Sequence, residues 1–132
     1  MPTRREARER ALSLAYECEL RDADIDALLD ELPVAPDPYA VRLVQGVSAH
    51  QEEIDALLRK YSEHWALERM PVIDRALLRL GTFELAYVDE VPTAAVITEA
   101  VELAKQYSTK DSGRFVNALL SRIADEVRPL EA

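Results

Sequence analysis

The sequence predicts an all-α fold, and three observations lead to that class. Apolar residues recur at the 3.6-residue spacing of amphipathic helices along most of the chain. No stretch shows the sustained alternation of apolar and polar residues that a half-buried strand requires. Glycine is scarce, at 3 of 132 residues, which disfavours a turn-rich β fold. We therefore expect about six to seven helices, arranged as two stacked three-helix bundles.

The first predicted helix covers residues 4–20. It opens with a capping box, because Thr3 can accept a hydrogen bond from the Glu6 amide while the Glu6 side chain reaches back to Thr3. Helical spacing then links four small or apolar residues, Ala7, Ala11, Leu14 and Cys18. The pattern predicts a helix that buries one face.

Two further N-cap signals follow in the chain. Asp24 is a candidate N-cap for a short helix that runs to Leu32. After a proline-containing loop, Asp37 and Pro38 combine an N-cap with proline at the first helical position. Each signal predicts where a helix begins.

The middle of the chain leaves one alternative open. Residues 39–61 keep the helical period, so they form either one long helix or two helices broken near residues 46–50. A junction near residues 64–71 separates the two predicted bundles. We expect an N-terminal lobe of about residues 1–66 and a C-terminal lobe of about residues 67–132.

Three more helices are predicted after this junction. The first begins at Pro71 and carries an apolar stripe as far as Tyr87. The second follows a turn around Pro92. The third begins near Asp111 and ends before Pro129, because proline cannot continue a helix.

The distribution of charge predicts where an anion would bind. The net charge of −9 disfavours nucleic-acid binding by the surface as a whole. Screening, however, confines the influence of a charged patch to about 10 Å at 0.1 M salt. The first ten residues carry four arginines and only two glutamates, and those arginines are Arg4, Arg5, Arg8 and Arg10. The chain is therefore predicted to have a basic end on an acidic body.

The sequence gives catalysis and metal binding little support. Cys18 is the only cysteine, which excludes an intrachain disulfide and a cysteine zinc site, and we interpret it as a small core residue. His50 is interpreted as a packed residue whose hydrogen bonds are satisfied, and no phosphate-binding glycine loop or nucleophile elbow occurs. No apolar run approaches the roughly 18–20 residues that span a bilayer, and no secretory segment opens the chain. We expect a cytoplasmic protein without cofactor or metal.

Four segments, in this order and at this spacing, resemble the NusB family and cover most of the chain. They are Arg4-Arg5-x-Ala7-Arg8 with Ala11 and Tyr16; Trp65 with Asp74-Arg75-x-Leu77-Leu78-Arg79-Leu80 and Phe83-Glu84-Leu85; Val91-Pro92 with residues 97–105; and Asp111-Ser112-x-x-Phe115-Val116-Asn117-x-Leu119-Leu120. Each segment alone is a weak helical pattern. Their combination is specific.

The resemblance implies a non-enzymatic function that depends on partners. Members of the family pair with ribosomal protein uS10 (NusE), and the heterodimer binds the boxA sequence of nascent ribosomal RNA leaders. With other Nus factors, that complex helps RNA polymerase to resist premature termination. For this chain the resemblance therefore implies transcription antitermination through RNA and protein binding.

Candidate RNA contacts lie on the first helix and near the last interhelical turn. Arg4 and Arg8 are one helical turn apart and are expected to project together, with Arg5 beside them. Guanidinium groups suit phosphates and base edges because they are planar and always charged. Lys110 and Arg114 either extend this basic surface or are ordinary solvated charges.

Four other residues match family positions near RNA or uS10. Tyr16 and Phe115 are each either a contact platform or a core aromatic residue. Tyr16, Asp74 and Asp111 are candidate uS10 contacts. An N-cap role competes for Asp111, and Asp74 lies in the first turn of its helix, where any carboxylate is favourable.

Three polar residues at family-typical positions are expected to act structurally. Glu84 and Glu99 should tie helices together. Asn117 lies inside an apolar run and is expected to be buried and hydrogen-bonded, because an unsatisfied buried amide costs roughly 1–3 kcal/mol.

Two other functions stay open. NusB-like domains also occur at the N-terminus of ribosomal RNA methyltransferases, although a chain ending at residue 132 leaves no room for a methyl-donor domain. The chain could also be a purely structural homodimer, in which apolar surface pairs the subunits and covers the arginine face.

Overall fold

The computed structural model describes residues 3–63 and 65–129, which form seven α-helices, one short 3₁₀ helix and no strand. None of these helices is long and apolar enough to cross a membrane. The all-α prediction is confirmed. The α-helices are α1 (Arg4–Arg21), α2 (Ile25–Glu31), α3 (Pro38–Ala49), α4 (Gln51–Tyr61), α5 (Val72–Tyr87), α6 (Thr93–Tyr107) and α7 (Ser112–Val127), and the 3₁₀ helix is Leu67–Arg69.

Helix α1 is capped at both ends. The Glu6 amide donates to Thr3 Oγ1 and the Thr3 amide donates to Glu6 Oε1, each at 3.1 Å. At the other end Asp22 adopts a left-handed conformation with φ 50°, and its amide bonds back to the carbonyl of Cys18. This is a common way to end a helix, because it satisfies carbonyls of the last turn. The predicted capping box is confirmed.

Two aspartates begin the next helices as predicted. Asp24 Oδ2 accepts a hydrogen bond from the Ala27 amide at 3.2 Å and begins α2. Asp37 Oδ2 accepts from the Tyr39 amide at 3.0 Å and begins α3.

Residues 39–61 are two helices, which settles the open alternative. His50, at φ −116° and ψ 21°, ends α3 and precedes α4. Its ring stacks on Tyr87 of α5, with 4.0 Å between the ring centroids. One turn earlier, the Phe83 ring lies directly over Gly46, where a Cβ would stand 2.1 Å from Phe83 Cζ. Gly46 therefore allows α3 to approach α5 closely.

We predict that Gly46→Ala destabilises the fold by about 1–2 kcal/mol. Alanine gains up to about 1 kcal/mol in helix propensity. Overpacking a filled core costs about 1–3 kcal/mol, and the Phe83 ring is only 5% exposed, so it has little room to move. Urea denaturation measures the change. Ser48→Ala, on an exposed position of the same helix, is the control and should change stability by less than about 0.5 kcal/mol. A Gly46→Ala protein as stable as the control would contradict the tight approach.

Helix α5 is the centre of the fold, because it contacts α1, α3, α4, α6 and α7. Residues 76–78 and 80–85 are buried, with only Arg79 partly exposed between them, although the periodicity predicts only one stripe. A helix surrounded by other helices buries all its faces. Consequently Glu84 lies in the interior.

The division into lobes of about residues 1–66 and 67–132 stays a prediction.

The expectation that Asn117 is buried is wrong. Asn117 is exposed, and its Oδ1 accepts a hydrogen bond from Ser121 Oγ at 3.3 Å. The buried face of α7 follows Val116, Leu119 and Leu120, and at 100° per residue Asn117 falls outside that stripe.

Arg128 follows the last residue of α7, and its side chain caps the C-terminal end of α5. Its guanidinium donates to the carbonyls of Leu85 and Val88, each at 2.8 Å, and to that of Val91 at 2.7 Å. It also reaches the Glu84 carbonyl at 3.1 Å. The last carbonyls of a helix have no intrahelical partner, so one side chain supplies donors for several of them.

Candidate nucleic-acid interface

Three arginines open α1, and the structure gives each a different environment. The Arg4 side chain is exposed, and its Cζ lies 3.8 Å from the centroid of the Tyr39 ring. Within the described residues the Arg4 side chain makes no hydrogen bond or ion pair. Its donors are therefore available to a ligand.

Arg5 lies on the side of α1 that faces α6. Its Nε donates to Glu99 Oε2 at 2.8 Å, and the side chain is 53% exposed. The hydrogen bond to Glu99 and the charge of that carboxylate raise the pKa of Arg5. Arg5 keeps its remaining donors toward solvent, and Glu99 ties two helices together as expected.

Arg8 does not lie on the surface with Arg4 and Arg5. Its side chain is only 8% exposed, its Nε donates to Glu84 Oε1, and its Nη2 donates to Glu84 Oε2, each at 2.8 Å. Burial alone would lower the pKa of Arg8, but the hydrogen bond and charge of Glu84 outweigh it and raise that pKa. In this arrangement the Arg8 guanidinium is committed to a carboxylate inside the fold. The RNA contact predicted for Arg8 stays a prediction.

The turn between α6 and α7 lies beside α1. Tyr107 Oη donates to Glu9 Oε2 at 2.6 Å, which joins the end of α6 to the second turn of α1. Lys110 and Arg114 are exposed on and after this turn. Both interpretations of these residues, an extension of the basic surface and ordinary solvated charge, stay predictions.

Asp111 occupies the N-cap position of α7, but its side chain makes no capping hydrogen bond. It is exposed and lies 3.6 Å from Arg114, whose side chain is 85% exposed. Such an exposed pair contributes little to stability. Asp111 is therefore free to meet a partner.

Asp74 does not fit the role of a direct partner contact. It is 2% exposed and accepts hydrogen bonds from Ser108 Oγ at 2.5 Å and from Ser112 Oγ at 2.8 Å. Thr109 also bonds to Ser112, through both its amide and its hydroxyl. The carboxylate thus fastens the start of α5 to the α6–α7 turn and holds that turn in place.

The two aromatic candidates differ in accessibility. Tyr16 is 38% exposed on α1 and can contact a partner. Phe115 is half-buried, and its ring meets the Trp65 ring edge-to-face with 5.2 Å between centroids. Trp65 is itself exposed, so these two rings form a partly accessible aromatic pair.

Cys18 and His50, whose side chains are of types that can act in catalysis, both pack against other side chains. Cys18 is half-buried at a cleft of about 440 Å³ between α1, α3 and α5, and burial raises the pKa of its thiol. A raised pKa keeps the thiol protonated at neutral pH, which makes it a poor nucleophile. His50 stacks on Tyr87. Cys18 packs against the core as predicted. The prediction of a satisfied histidine is wrong, because among the described residues the buried His50 Nδ1 has no hydrogen-bond partner and lies 3.6 Å from Glu53 Oε1.

The chain matches the NusB family model over residues 5–125, which include α1 from Arg5 onward and the turn before α7. The chain belongs to the NusB family. A curated relative from Salinispora arenicola, named transcription antitermination protein NusB, is 48% identical and aligns over 95% of this chain and 97% of its own length.

Solved NusB structures share this fold. A NusB structure from T. maritima superposes with a TM-score of 0.89 and 38% identity, over 98% of this chain and 96% of that one. A crystal structure of the antitermination factors NusB and NusE in complex with double-stranded RNA gives a TM-score of 0.78 at 30% identity, over 93% and 96% of the two chains.

Tyr39 is a residue of the candidate interface that the sequence does not predict. Its hydroxyl donates to Glu84 Oε2 at 2.6 Å, and burial, with the hydrogen bond and charge of Glu84, raises its pKa to about 12. The only sequence signal was an aromatic residue directly after the Asp37-Pro38 helix start. That signal does not reveal which neighbouring helix the ring meets.

Proposed function

We propose that this chain is a cytoplasmic, non-enzymatic transcription antitermination factor. It binds the boxA sequence of nascent ribosomal RNA leaders together with ribosomal protein uS10 (NusE), and the complex acts on RNA polymerase with other Nus factors. The observation that carries the proposal is the accessible arginine end of α1 on an acidic chain. The names of the relatives, and the crystallised complex of a related NusB with NusE and RNA, support it.

The charge distribution makes the partner part of the mechanism. Arg4 and Arg5 are accessible at the start of α1, and Lys110 and Arg114 are exposed around the α6–α7 turn. Against a net charge of −9, so few cations hold RNA weakly and with strong dependence on salt. A second protein that contributes further contacts to the same RNA overcomes this weakness.

Asp111 and Tyr16 are the proposed contacts to uS10. Both are exposed, and neither makes a strong contact that binding would have to break. Asp74 contributes indirectly, because its hydrogen bonds to Ser108 and Ser112 hold in place the turn that carries Asp111 and Lys110.

We predict that Arg4→Ala/Arg5→Ala lowers the affinity of the uS10-bound chain for boxA RNA at least about tenfold. Two phosphate contacts are lost, so the slope of log affinity against log salt should become shallower by up to roughly 1.4, at about 0.7 per contact with single-stranded RNA. Fluorescence anisotropy of labelled boxA RNA, titrated at several salt concentrations with and without uS10, measures both quantities.

The matched control is Arg59→Ala/Lys60→Ala, which removes the same charge from exposed side chains of α4. It should leave both the affinity and the salt slope close to those of the unaltered chain. If uS10 gives no enhancement and the arginine variant binds like the control, the proposed function is incorrect.

A further inference from the structure

The ring beneath the arginine end of α1 belongs to Tyr39, in the first turn of α3. The Cζ of Arg4 lies 3.8 Å from the ring centroid, and that of Arg8 lies 5.9 Å from it. A cation within about 6 Å of an aromatic ring is attracted by the electrons of its face. At the shorter distance the Arg4 guanidinium is in van der Waals contact with the ring.

The Tyr39 ring is held in place from the interior of the fold. Its hydroxyl donates to the same Glu84 oxygen, Oε2, that accepts from Arg8 Nη2. Glu84 is buried on α5, and the second hydrogen bond from Arg8 fixes its other oxygen. Three helices therefore determine the orientation of one aromatic face at the protein surface.

Arg4 is the arginine of the three that remains uncommitted. Arg5 is bonded to Glu99 and Arg8 to Glu84, whereas the Arg4 guanidinium makes no hydrogen bond or ion pair with the described residues and lies against the Tyr39 ring. The Arg4 side chain is exposed as well as in contact with the Tyr39 ring, so its guanidinium is accessible to a ligand. Unpaired RNA bases are recognised by stacking on aromatic rings and on guanidinium planes.

We infer that Arg4 and Tyr39 form a stacking site for one unpaired base of the bound RNA. Arg4 touches the base, and Tyr39 is the positioning residue that orders Arg4 before RNA arrives. Ordering a side chain in advance lowers the entropic cost of binding. The inference rests on the proposed RNA-binding function and adds to it that Arg4 binds a base as well as phosphate.

An abasic scan tests this site. The full chain with uS10 is titrated against labelled single-stranded boxA RNA and against versions in which one nucleotide at a time lacks its base. For the unaltered chain, one position should lose about 5- to 150-fold in affinity, the range for a base stacked on an aromatic side chain. Arg4→Lys keeps the charge but lacks a planar group, so this penalty should disappear.

Variants at Tyr39 and a matched control complete the test. Tyr39→Leu should also remove the abasic penalty, whereas Tyr39→Phe keeps the ring and should retain it. Arg10→Lys, an equivalent change at another exposed position of α1, should retain it as well. Arg4→Lys is at an exposed helix end, so it carries the test even if Tyr39→Leu fails to fold.

The two possible failures give different results. If intact boxA RNA binds tightly but the abasic penalty in Arg4→Lys equals that of the unaltered chain, the stacking site is overturned while RNA binding stands. If intact boxA RNA binds no better than a scrambled sequence, the proposed function fails and the stacking site fails with it.

Discussion

Replacing Arg8 with methionine is expected to lower the free energy of unfolding by about 3–5 kcal/mol. Among the described residues, Arg8 supplies two of the three side-chain hydrogen bonds that Glu84 accepts, and both residues are buried. Methionine fills most of the volume but leaves the carboxylate with Tyr39 as its remaining side-chain donor. The cost arises from the uncompensated buried charge rather than from lost packing. Chemical denaturation followed by circular dichroism measures it.

A second substitution shows whether this reasoning is right. Combining Arg8→Met with Glu84→Gln removes the stranded charge while keeping an acceptor for the Tyr39 hydroxyl. The double variant should therefore be more stable than Arg8→Met alone, which is the reverse of additivity. Arg21→Met, at the exposed end of the same helix, is the control and should have little effect. A double variant no more stable than Arg8→Met would show that packing, not charge, dominates.

The second large effect is expected at Arg128, where Arg128→Met should cost about 2–4 kcal/mol. Hydrogen bonds from a charged donor are worth about 1.5–3 kcal/mol each when buried, but the sum is reduced because water reaches part of this site. The carbonyls of Leu85, Val88 and Val91 would lose their charged donor together. The end of α5 and the segment after it should then exchange their amide hydrogens faster, which hydrogen-exchange mass spectrometry measures.

Arg128→Lys separates geometry from charge at the same position. Lysine keeps the positive charge but presents one compact donor group instead of a planar fork, so it reaches fewer carbonyls. We expect it to recover only part of the stability lost in Arg128→Met. Arg114→Met, at an exposed position of the same helix, is the control and should leave stability and exchange nearly unchanged. Full recovery by lysine would mean that charge alone matters here.

These two expectations distinguish structural arginines from those available to RNA. The guanidinium N–H groups of Arg8 and Arg128 donate hydrogen bonds to groups inside the protein, whereas the Arg4 guanidinium is accessible from solvent. We therefore propose that the same residue type performs two tasks in one chain. The stability variants test the first task, and the binding variants under the proposed function test the second.

The local structure of this chain follows from residues that are close together in its sequence. The capping box at Thr3 and the N-caps at Asp24 and Asp37 lie where the sequence predicts them. Such caps depend only on residues three or fewer positions apart, and the helical period depends on residues three to four apart. The order of family motifs identified the family for a similar reason, because it is a property of the linear chain.

The tertiary structure decided which polar residues are available for binding. Arg8 is buried because Glu84, 76 positions away, lies on the central helix and faces it. Asp74 is buried because Ser108 and Ser112 return to it from the turn after α6. Local spacing puts Arg4 and Arg8 on one face of α1 but cannot tell which part of that face a neighbouring helix covers. That depends on how helices distant in sequence pack together.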